Sequence, residues 1–132
     1  MPTIPTPGLL RIALGADAVM SGASGLLLVA ASGAVAQATA LPAPLLLACG
    51  LFFLPYAALL AWLAMRASVP RWLVSVLAGG NLAWALACAA VPLLGLLAPG
   101  GLGIAFLAAQ ALAVAIFALM YAGALRRAAR TA

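Results

Sequence analysis

Four long apolar stretches, separated by short clusters of Pro, Gly and Arg, organise the whole chain. They cover residues 9–31, 44–65, 70–97 and 102–125. Each matches or exceeds the roughly 20 residues with which an α-helix, rising about 1.5 Å per residue, crosses a hydrocarbon core. Four such runs in 132 residues leave no polar layer to cover them, so they cannot all be core helices of a water-soluble domain. The pattern predicts an all-α, four-helix transmembrane bundle forming a single domain over residues 1–132.

Composition sharpens this reading. Apolar residues make up 69% of the chain and charged ones 5%, against about 25% in an ordinary soluble domain. The charged set is six Arg and one Asp, with no Lys, Glu or His. Arg11 opens the first run, Arg66 and Arg71 flank the turn between the second and third, and Arg126, Arg127 and Arg130 follow the fourth. The connections 32–43 and 98–101 carry no charge. In a four-span chain all six cations then fall on one side, which the positive-inside rule assigns to the cytoplasm, with both termini there (N-in/C-in). Arginines scattered at helix ends form no basic face, so nucleic acid is excluded as a partner. An Ala- and Leu-rich chain using Arg in place of Lys points to a high-GC bacterial source, and hence to the bacterial inner membrane. One competing reading is a secretory signal cleaved after Ala34-Val35-Ala36. Its apolar run is too long for that, and it contains Asp17 and several Gly and Ser.

Boundary residues fit the same topology. Trp62 and Trp72 bracket the Arg66/Arg71 turn at headgroup level, and Tyr121 stands one turn before Arg126. Pro2, Pro5 and Pro7 predict an extended or disordered start. Pro70 suits a helix N-terminus, whereas Pro55 and Pro92 should kink or end their helices.

Chemistry at membrane depth rests on few groups. Counting along each helix from the nearest Arg places Asp17 roughly 9 Å in, Tyr56 and Asn81 about 15 Å in, and Gln110 about 24 Å in. Asp17, the only acid, is costly there unless it faces the interior or a wet cavity. Ser21 and Ser24 share its face, beside a seam of Gly15, Ala18, Gly22 and Gly25 that lets helices approach closely. Asp17 reads either as a titrating or cation-binding group, or as a carboxyl that caps or hydrogen-bonds near the interface and pairs with an Arg from a neighbouring helix end. Tyr56 and Asn81 lie equally far from the Arg66/Arg71 turn, so a Tyr–Asn bond can pin helices two and three; Cys49 and Cys88 match in the same way. The cysteines read as free, packed thiols in preference to a bridge. Trp84, Phe52 and Phe53 form either an aromatic pocket or plain packing.

The exclusions are firmer. Without His, Glu or Lys there is no imidazole base, carboxylate pair or Schiff-base lysine, and one Asp with two separated Cys makes no standard zinc site. The chain is therefore expected to be neither an enzyme nor a holder of a cofactor or metal.

The opening of the first run, Arg11-Ile-Ala-Leu-Gly15 followed by Ser21-Gly22, resembles the R-x3-G-x6-G start of the DoxX-like membrane proteins. Those are bacterial four-helix chains of similar length, some of them subunits of membrane redox complexes. The likeness covers some twelve residues, and Gly25 stands where those proteins often carry Lys. It implies the fold and carries over no quinone or thiol site. The leading expectation is a non-catalytic accessory, assembly or scaffold subunit whose partners are the lipid bilayer and other membrane helices. The alternative is a small transporter or lipophile-binding protein with a polar path through Asp17, Ser21, Tyr56, Asn81 and Gln110.

Overall fold

The computed structural model describes residues 2–6 and 8–131. It is an all-α bundle of four helices, α1 (Leu9–Thr39), α2 (Ala43–Ala64), α3 (Arg71–Leu93) and α4 (Gly101–Thr131), each long and apolar enough to cross a membrane. Two short strands, β1 (Thr3–Pro5) and β2 (Ser68–Pro70), complete it.

The helix ends differ from the predicted spans for local reasons. α1 runs on to Thr39, bending at Ala31 (φ −136°, ψ 33°), because Ala34–Ala38 are compatible with helix and nothing stops them before Ala40. Ala40 then takes a left-handed conformation (φ 59°), its N–H bonding to the Ala36 carbonyl at 2.8 Å. α3 stops at Leu93, short of the predicted Leu97. Pro92 lacks an N–H, and Gly95 turns the chain at φ 66°. α2 continues through Pro55 to Ala64. α4 carries Arg126, Arg127 and Arg130 within its last turns, as strong helix formers allow.

The arginines gather at one end of the bundle. There the start of the chain is extended, as its prolines predict, but also ordered: β1 pairs antiparallel with β2, Ile4 opposite Val69. Pro7, the third of those prolines, lies outside the described residues. The Arg71 N–H bonds to the Pro2 carbonyl and the Thr6 N–H to the Ala67 carbonyl, both at 3.0 Å. Arg11 donates to the Arg66 carbonyl at 3.2 Å, and the Arg66 guanidinium lies 4.9 Å from the Trp62 ring centre. Ile4 and Val69 are buried with Leu10, Leu14, Leu63 and Val74, so the strands close this end with an apolar plug.

Packing is uneven around the bundle. α1 lies against α2 and α4, and α4 against α3, whereas α2 and α3 scarcely approach each other among the described residues. The order around the axis is thus α2, α1, α4, α3, with a gap between the ends of that series. Small residues explain the tight pair. A Cβ on Gly25 would sit 3.2 Å from the Gly50 carbonyl oxygen, and one on Gly50 would sit 2.9 Å from Leu28 Cβ. The Gly seam of α1 is therefore used within the chain. At the end remote from the arginines, the Gly100 N–H bonds to the Thr39 carbonyl at 3.0 Å, and a Cβ on Gly103 would run into that same carbonyl.

Candidate intramembrane binding site

Bonding around Asp17 draws on all four helices. Asp17 is 2% exposed, on the inward face of α1, and Ser21 one turn later donates to its Oδ1 at 3.1 Å. Tyr56 of α2 donates to Oδ2 at 3.1 Å, and Tyr121 of α4 donates to the same oxygen at 2.8 Å. Asn81 of α3 completes the set: its Nδ2 donates to the Tyr56 hydroxyl at 3.2 Å and to the Leu77 carbonyl at 2.8 Å. The Tyr56–Asn81 bond expected from matched depths is present, and it bridges a gap that the backbones leave open. Asp17 is held by hydroxyls; no arginine pairs with it among the described residues.

Sequence reading missed one member. Tyr121 reads as an interfacial anchor because it precedes Arg126, yet it is fully buried. Its depth, about 7.5 Å by helical rise, was close to that of Asp17, and that agreement was the available signal. Tyr56 starts from a Cα counted as deeper and reaches the same carboxyl, because a phenol is long and helices tilt.

Alongside this network lies a cavity of about 350 Å³. Asp17, Ser21, Tyr56 and Asn81 contribute to its lining, and Gln110 does too; the five residues picked out from sequence therefore share one space. Most of the wall is apolar, from Leu77, Val114 and Phe117 among others. Phe52, Leu59 and Val76 both line the cavity and are exposed on the outside of the bundle. They stand on α2 and α3, and Met20 of α1 is likewise lining and exposed, so the cavity opens to the outside of the bundle, chiefly along the gap between α2 and α3.

A second cavity of about 220 Å³ lies towards the other end, lined by Leu28, Leu46, Val91 and Leu107. Phe53, Trp84 and Gln110 belong to both linings and form the partition. Phe53 and Trp84 meet edge to face with ring centres 5.4 Å apart, and Phe52 stacks on Tyr56 at 5.8 Å. The aromatic cluster is thus both packing and cavity wall. Trp84 Nε1 is occluded and has no hydrogen-bond partner among the described residues. Cys49 and Cys88 are free thiols beside the second cavity. Among the described residues no group of His, Cys, Asp or Glu could hold a metal ion.

No family model, no curated protein and no solved structure matches the chain. The likeness of Arg11–Gly22 to the DoxX-like opening therefore rests on those residues alone.

Proposed function

We propose that this small membrane protein binds an amphiphilic lipophile in the intramembrane cavity. The observation that carries the reading is the cavity's build: apolar walls, an opening to the outside of the bundle, and a polar floor of Asp17, Ser21, Tyr56 and Asn81 from α1, α2 and α3, with Tyr121 of α4 bonded to Asp17 behind it. Apolar pockets with a few convergent polar groups are the usual form of small-molecule sites, and intramembrane acids commonly mark them. A volume of about 350 Å³ lies in the ordinary range for such pockets. Binding and release of such a ligand need no catalysis.

Trp84 reports on the site directly. With Trp62→Phe and Trp72→Phe leaving it as the sole tryptophan, ω-bromododecanol added to lipid nanodiscs should quench it saturably. Gly80 lines the cavity and its Cβ direction is open, so Gly80→Phe adds a ring without backbone collision. That variant is expected to stay folded and to raise the half-quenching concentration at least about tenfold, the loss of about 1.4 kcal/mol of binding. Quenching that is linear in probe and indifferent to Gly80→Phe defeats the reading.

An accessory-subunit role draws on a different observation. Among the described residues α3 packs closely on α4 and meets α2 through a few side chains, which leaves much of its surface free for a partner helix. A membrane protein co-purifying stoichiometrically in mild detergent would support it. Sidedness belongs to the same proposal: reporters fused at Ala40–Pro42 and after the last residue are expected on opposite sides, the latter in the cytoplasm. Both in one compartment would refute the four-span topology.

A further inference from the structure

The hydrogen-bond inventory of the cavity floor points to a ligand class, and this inference rests on the lipophile-binding reading. The Ser21, Tyr56 and Tyr121 hydroxyls each have one proton, and each gives it to Asp17. Asn81 Nδ2 has two, given to Tyr56 and to Leu77. Every donor of the floor is therefore committed inside the protein. What remains is acceptor capacity. Asn81 Oδ1 accepts no bond among the described residues and is not among the occluded unpartnered atoms. Asp17 Oδ1 accepts only from Ser21, which leaves it a further lone pair.

From this we infer that the cavity selects lipophiles whose head is a hydrogen-bond donor, a long-chain alcohol or primary amine, over those whose head only accepts. A donor head meets the free oxygens. An ether, ester or ketone head would set acceptor against acceptor, a mismatch that costs binding free energy. A carboxylate head likewise brings only acceptors to oxygens that are themselves acceptors. The uncommitted polar side chains, Ser24 and Gln110, lie elsewhere in the lining and can both donate and accept, so they do not reverse the preference at the floor. The indole N–H of Trp84 is itself occluded and is not offered to the cavity.

Matched probes on the unmodified floor test this. In the sole-Trp84 protein in nanodiscs, quenching is compared for ω-bromododecanol and its methyl ether, and for ω-bromododecylamine and ω-bromododecanoic acid. Concentrations are corrected for membrane partitioning measured on protein-free discs. The alcohol should half-quench at about one tenth of the ether concentration or less, and the amine should outdo the acid by a wider margin. Equal potency within each pair, with saturable quenching lost in Gly80→Phe, overturns this inference and leaves the lipophile site standing. No saturable quenching by any probe overturns both. Asp17→Asn, where it folds, should shrink the amine-to-acid ratio most; an unchanged ratio in a folded variant counts against the floor as the selector. If it does not fold, the comparison on the unmodified floor decides.

Discussion

Replacing Asp17 by Ala should cost about 2–4 kcal/mol of stability, the largest loss expected from any polar position in the chain. Two effects compete. An acid with no cation beside it is itself a desolvation burden, and replacing a buried charge by an apolar group is often neutral or favourable. Here, however, Asp17 is the shared acceptor of Ser21, Tyr56 and Tyr121. Its removal takes the acceptor from three hydroxyls, the fully buried Tyr121 among them, at about 1–3 kcal/mol for each group that stays unpaired. Membrane hydrogen bonds average nearer about 0.6 kcal/mol, because the helices find other partners when separated, and this sets the total below a simple sum. The origin of the loss can be checked by rescue. Asp17→Ala combined with Tyr56→Phe and Tyr121→Phe removes both sides of each tyrosine bond and should recover more than half of it. Reversible unfolding in mixed detergent micelles reads both variants. A loss below about 0.5 kcal/mol for Asp17→Ala would mean that the network does not hold the helices together.

Gly103→Ala is expected to cost about 2–3 kcal/mol, although it adds only one carbon. That carbon would run into the Thr39 carbonyl, a backbone group at the end of α1 that also accepts the Gly100 N–H. A flexible side chain could turn aside, but a carbonyl held by a helix end cannot, so α4 must move away from α1. Intrinsic propensity pulls the other way, since Ala in a helix is favoured over Gly by about 1 kcal/mol. Gly79→Ala isolates that term. A Cβ at Gly79 meets nothing, so the change should be neutral or stabilising by up to about 1 kcal/mol. Opposite signs for the two substitutions in the same unfolding assay are the expected result. Equal effects would show that the α1–α4 junction is looser than described.

The four helices were legible in the sequence because apolar runs of this length have one common solution in lipid. The gathering of arginines at one end was legible too, since it needs only the order of the runs. Within the site, Asp17–Ser21 followed from helical spacing and Tyr56–Asn81 from equal distance to a shared turn. Tyr121 did not follow, because a tyrosine near an arginine has an equally good use at the headgroups and only its rotation about α4 distinguishes the two. The β1–β2 pairing was also hidden. Three residues, one of them proline, carry no strand pattern, and their partner lies more than sixty residues away. The gap between α2 and α3 had no sequence signal, since it is set by what α1 and α4 do: the Gly22–Gly25 and Gly50 surfaces draw α2 onto α1, while α3 settles on α4.

The polar centre of the bundle depends on one carboxyl on α1 shared with α2 and α4, to which α3 is tied through Asn81 and Tyr56. A double-mutant cycle of Asp17→Asn with Tyr121→Phe measures that sharing, with unfolding in mixed micelles as the readout. The 2.8 Å bond between these side chains predicts a coupling of about 1 kcal/mol or more. Effects that add to within about 0.3 kcal/mol would show that α1 and α4 are not joined at this point.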